Sequence, residues 1–163
     1  MTSPQAAAPP SVQKRPARRG GLRQANLAVL IILIIQFALG IGVNLYVTLP
    51  AVGTAGRSSD QFFSNGPLLA IHAVLGLLLV IGAIAVLVRA IIARIAILIA
   101  TSVAGLAAII LAAIFGSGFT DKLTDGYSIG MALAFAVALA CYAIGLFAAS
   151  ARKAVGDAGT PRL

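Results

Sequence analysis

The sequence predicts an all-α membrane protein, a four-transmembrane-helix antiparallel bundle, on three observations. Four apolar stretches between Ala25 and Ser150 are each long enough to cross a bilayer. The chain is 60% apolar and only 10% charged, against about 45–50% and about 25% for a soluble domain. Basic residues crowd every second polar segment and are scarce in the others. A chain of 163 residues must leave much of its surface uncovered. Here that surface is apolar, so lipid is the solvent that suits it.

Residues 1–24 hold Ala, Pro, Gln and a basic cluster of Lys14, Arg15, Arg18, Arg19 and Arg23. They offer little to bury and read as a disordered basic arm. The first span is expected over about 26–49, closed by Pro50. At about 1.5 Å per residue it covers the roughly 30 Å hydrocarbon core. A polar loop follows, and Pro67 opens the second span, about 67–88, at a favourable first-turn position. A short turn over Arg89 to Arg94 leads to the third span, about 95–115, which Gly116-Ser-Gly118 is expected to stop. The fourth runs over about 127–149, and residues 151–163 form a short tail.

A cleaved signal peptide is the competing reading of the first span. Its flank is basic, Arg18-Arg19 resembles a twin-arginine signal, and Gly53-Thr-Ala55 offers small residues for cleavage. The apolar segment nevertheless exceeds the about 7–15 residues of a signal core, and it is read as a retained span.

Charge sets the expected orientation. The arm, the Arg89–Arg94 turn and the tail hold ten basic residues, while the two other loops hold only Arg57 and Lys122. Positive residues stay cytoplasmic, so the expectation is a multi-pass protein of the cell membrane with N- and C-termini cytoplasmic. The basic arm is expected to meet anionic lipid headgroups. Nucleic acid is not an expected partner, because the charge is confined to tails and one turn rather than spread over a folded face.

Each span carries small or polar residues at helical spacing: Gln36, Gly40 and Asn44; His72 and Gly76, followed by Ala83; Ser102, Gly105, Ala108, Ala112 and Gly116; Gly126, Gly130, Ala134 and Ala138. Helices in lipid associate by close backbone approach and interhelical hydrogen bonds, so these rows predict packing faces. Counting from the span ends puts Asn44, His72, Met131 and Ser117 in one layer roughly 5–10 Å below the outer surface. Gln36 falls deeper, opposite Thr101 or Ser102.

His72 is the only histidine, and an ionisable residue inside a span is a functional candidate. Its neutral imidazole suits haem iron, with Met131 as a possible second ligand; the alternative is a hydrogen bond to Asn44 or to a backbone carbonyl. Asn44 and Gln36 would orient a quinone carbonyl or a haem propionate, or tie helices together. His72, Asn44 and Met131 are thus the candidate cofactor-binding residues, with His72 alone the candidate metal ligand. Tyr46 reads as an interfacial anchor and Cys141 as an inert buried thiol. No Asp or Glu lies inside a span, which argues against proton-coupled export, and no Gly-rich phosphate loop is present.

The segments Gln36-Phe-Ala-Leu-Gly40, Val43-Asn-Leu-Tyr-Val-Thr48 with Pro50, and His72-Ala-Val-Leu-Gly-Leu77 resemble a family of small four-helix integral membrane proteins of high-GC Gram-positive bacteria. More distantly, the pairing of a Gln-x-x-Leu-Gly helix with a His-x-x-Leu helix is similar to one half of haem A synthase. That resemblance implies the four-helix fold and haem contact at His72. The chain has one His where such a half has two, and it lacks the glutamate tied to that catalysis, so synthase activity is not implied.

The expected role is therefore a non-enzymatic accessory or assembly protein of a membrane complex, or a homo-oligomer. The alternatives are a haem- or quinone-binding redox protein centred on His72, and a small-solute transporter using the polar layer.

Overall fold

The structure is a computed structural model and describes residues 17–46, 67–122 and 125–158. Among the described residues four α-helices follow one another: α1 Ala17–Tyr46, α2 Pro67–Ala93, α3 Ala96–Lys122 and α4 Asp125–Ala158. All four are long and apolar enough to cross a membrane, over Gly21–Tyr46, Pro67–Ala93, Ala96–Phe119 and Asp125–Ala151. Stretches of 24 to 27 residues reach about 36–40 Å, more than the roughly 30 Å of hydrocarbon.

Each helix packs on its chain neighbour, and α4 closes the ring against α1. The α3–α4 interface is the most extensive. Val29 and Leu33 of α1, Leu79, Ala83 and Val86 of α2, Ala108 and Ile109 of α3, and Ala138 and Tyr142 of α4 form the central core. A second cluster of Leu22, Ala90 and Leu98, with Ala148 and Ala149 packed on it, draws all four helices together at the end that carries the α2–α3 turn. On the other half, Phe37 of α1 stacks on Phe135 of α4 at 5.0 Å between ring centroids.

Outside this core the helices are apolar as well. Ile34 is 55% exposed, Leu77 64% and Leu133 64%. Water-soluble monomers rarely show continuous apolar surface beyond a few hundred Å², and here it runs along every helix. The chain is an integral, multi-pass membrane protein whose outer side chains meet lipid.

Four element boundaries differ from the sequence expectation, one of them at α4, which runs over Asp125–Ala158 rather than about 127–149 and so takes in part of the stretch read as a short tail. The helix of α1 starts at Ala17, inside the stretch read as a disordered arm, and buries Leu22; residues 1–16 lie outside the described residues. The second helix runs through Arg89 to Ala93, so the turn shrinks to Arg94 and Ile95. Arg94 adopts φ 52° and its amide donates to the Ile91 carbonyl at 3.0 Å. A single left-handed residue reverses the chain here. Last, α3 does not stop at Gly116-Ser-Gly118 but continues to Lys122. Those glycines serve packing: a Cβ on Gly118 would lie 2.5 Å from the Tyr127 ring, and one on Gly116 would lie 3.3 Å from Met131 Sδ. Ser117 keeps its hydroxyl inside the helix by donating to the Ile114 carbonyl at 2.9 Å.

Small residues also set the inner half of the α3–α4 seam. The Tyr142 ring lies flat on Gly105, where a Cβ would come within 2.7 Å of Cε2. Tyr142 is 1% exposed, so its ring fills space that only a glycine-faced helix leaves open.

Candidate functional site

The polar groups of α1 and α2 meet at one point. The Gln36 side chain crosses the α1–α2 seam and its Nε2 donates to the His72 carbonyl oxygen at 2.8 Å. The same Nε2 lies 3.3 Å from His72 Nε2. A helical carbonyl is normally covered by the side chain one turn on. Here that residue is Gly76, and a Cβ there would lie 3.0 Å from Gln36 Nε2. The imidazole in turn packs against the α1 backbone at Gly40, where a Cβ would sit 3.3 Å from Cε1 and 3.9 Å from Nδ1. The glycines at 40 and 76 are thus what lets an imidazole and an amide share a helix–helix seam.

These contacts assign hydrogens. The bond to a carbonyl oxygen fixes which end of the Gln36 amide is nitrogen. An amide nitrogen donates, so the facing His72 Nε2 accepts, and the ring proton of the neutral imidazole resides on Nδ1. Gln36 Oε1 and His72 Nδ1 are then left covered, with no hydrogen-bond partner among the described residues. In this tautomer the pair is uncharged.

The other expected members of the layer lie elsewhere. Asn44 is exposed near the end of α1. The seam pairs Gly42 with Leu68 and Gly40 with His72, which sets Asn44 about one turn too far out to meet the ring. Met131 packs with its sulfur toward Gly116 on the α3–α4 seam, whereas His72 lies on the α1–α2 seam. Ser117 is exposed. Thr101 donates to the Ile97 carbonyl at 2.9 Å on its own helix, and Ser102 is buried at 2% exposure.

Haem ligation needs a ring nitrogen aimed into open space and a flat cavity beside it. His72 Nε2 is met by the Gln36 amide, and the Nδ1–Cε1 edge lies on the α1 backbone at Gly40. The residues present do not fit a porphyrin in this packing.

Two buried polar residues escaped the sequence reading. Asn26, which the hydropathy pattern puts at the start of the first span, is 1% exposed and donates through Nδ2 to the Leu22 carbonyl at 3.0 Å. Its Oδ1 lies 2.8 Å from where a Cβ of Gly145 would be, with Thr101 Oγ1 at 3.3 Å from the same point. Tyr142 was passed over in an apolar run, yet its hydroxyl is covered without a partner among the described residues. Gly105 at the matching depth of the neighbouring helix was the available signal.

Comparison with protein-family models, with curated proteins and with solved structures finds no match to this chain. The four apolar helices among the described residues define the class, an integral membrane protein.

Proposed function

We propose that this chain is a non-enzymatic accessory or assembly protein that docks on the transmembrane helices of a larger membrane complex through the outer faces of α3 and α4. The observation that carries this reading is an asymmetry of the outer surface. The exposed side of α4 shows Ala132, Ala136 and Ala140 at four-residue spacing, and α3 shows Ala96, Ala100, Ala104 and Ala107. The exposed sides of α1 and α2 carry alanine only singly, at Ala28, Ala38, Ala85 and Ala93, among large side chains such as Ile31, Ile34, Leu77 and Leu78, whereas on α4 large side chains such as Leu133 and Val137 run beside an unbroken alanine row. Large aliphatic groups suit fluid lipid. Rows of small ones allow a second helix to approach closely, which is how helices associate in bilayers. The ten-to-two split of basic residues supports a cytoplasmic position for both chain ends.

Affinity purification of the tagged full chain from native membranes in mild detergent tests this. An integral membrane protein should co-purify with the wild type, be lost with Ala136→Leu, and persist with Leu78→Ala. Recovery unchanged by Ala136→Leu would refute the docking face. Recovery of a second copy of this chain alone would replace the complex by a homo-oligomer.

A further inference from the structure

We infer that the end of the bundle carrying the α2–α3 turn holds a folded binding site for the phosphate of an anionic membrane lipid, built on Arg89 with Arg23 and Arg94. Arg89 lies on the last turns of α2, and its Nη1 donates across the seam to the Gly21 carbonyl of α1 at 3.4 Å. The guanidinium is therefore held over the α1–α2 seam, and a planar five-donor fork tethered through one hydrogen bond keeps donors for a phosphate. All three arginines are exposed.

The frame beneath them is fixed. Leu22, next to both Gly21 and Arg23, packs with Ala90, next to Arg89, and with Leu98 of α3. Ile95, next to Arg94, packs on the same cluster. Three arginines from α1, α2 and the turn are in this way spaced around one four-helix plug. The left-handed φ of 52° at Arg94 directs that residue out of the helix line. The polar segments on this side hold ten basic residues and one acidic residue, Asp157, so an external anion is the balancing charge. Arg23 and Arg89 lie in the terminal turns of the apolar stretches Gly21–Tyr46 and Pro67–Ala93, and Arg94 lies just past the second, a placement that suits the depth of lipid phosphates. Each arginine near a charged bilayer surface contributes about 1 kcal/mol, roughly fivefold in affinity. The site rests on the membrane-spanning architecture and is independent of the α3–α4 docking face.

The test reconstitutes the full chain in nanodiscs of phosphatidylcholine, alone or mixed with phosphatidylglycerol. After extraction in mild detergent, the lipid retained is weighed by native mass spectrometry. Phosphatidylglycerol should be retained over phosphatidylcholine, and Arg89→Gln and Arg94→Gln should each lower that preference about fivefold. Arg57→Gln, on the segment joining the opposite ends of α1 and α2, should leave it unchanged. Helicity by circular dichroism accompanies each variant, and if Arg89→Gln fails to fold, Arg94→Gln and Arg23→Gln decide. Equal retention of both lipids, or equal loss with Arg57→Gln, would overturn the site. Inorganic phosphate that displaces the retained lipid would overturn the lipid assignment in favour of a free anion; retention in its presence is the expected result.

Discussion

The amide nitrogen of Gln36 on α1 reaches two polar atoms of His72 on α2, the backbone carbonyl at 2.8 Å and the ring Nε2 at 3.3 Å. One side chain therefore ties two helices and selects one tautomer of the only histidine in the chain. Because there is a single imidazole, the assignment is directly observable. Nitrogen-15 spectra of histidine-labelled protein in lipid should show the proton on Nδ1 and an accepting Nε2. A proton on Nε2 would contradict the pairing.

Removing the tie should cost little but measurably. Gln36→Leu deletes the interhelical bonds, and side-chain hydrogen bonds of this kind contribute about 0.6 kcal/mol, up to about 2, in membrane helices. A loss in that range in detergent unfolding is expected, together with a shift of the His72 ring signals. Unchanged ring signals in Gln36→Leu would show that the two groups do not touch.

Glycine substitutions should divide sharply by seam. Gly105→Ala and Gly118→Ala drive a methyl to within 2.7 Å and 2.5 Å of aromatic rings, and overpacking of this sort costs about 1–3 kcal/mol. Gly126, which has nothing within 4 Å, should accept Ala with no loss. Equal effects at all three positions in a thermal-melt series would refute the α3–α4 packing.

The buried hydroxyl of Tyr142 gives the opposite sign. It is covered without a partner among the described residues, and an unsatisfied buried polar group costs about 1–3 kcal/mol. Tyr142→Phe should therefore be neutral or stabilising, whereas Tyr142→Ala should lose about 3–5 kcal/mol through the cavity it leaves. A Tyr142→Phe variant as damaged as Tyr142→Ala would mean that the hydroxyl has a partner.

At the α2–α3 turn, Arg94 occupies the left-handed region at φ 52°. That conformation costs an L-residue about 1–2 kcal/mol and glycine nothing. Arg94→Gly should leave the melting temperature unchanged or raised, and Arg94→Val should lower it. The reverse order would place the chain reversal elsewhere.

The spans were legible because hydropathy and length are one-dimensional. Four apolar stretches, a helix opening at Pro67 and the small-residue rows could all be counted along the chain. What could not be counted was register. Depth reckoned from span ends placed His72 level with Asn44, but the seam pairs Gly40 with His72, so the ring meets the longer Gln36 side chain instead. Glycine was ambiguous for a related reason. Gly116 fitted both a helix stop and a packing row, and Gly118 only a stop; the arrival of Met131 and Tyr127 from α4 shows that both accommodate neighbours. Tyr142 was invisible because an aromatic within an apolar run carries no sign of which side it faces.

The docking proposal meets its most direct test in site-specific photocrosslinking in native membranes. A photoreactive residue at position 136, on the alanine row of α4, should give a discrete adduct with an integral membrane partner, while the same residue at position 78, on the aliphatic face of α2, should label lipid alone. Lipid labelling from both positions, or the same protein adduct from both, would contradict an accessory role built on the α3–α4 face.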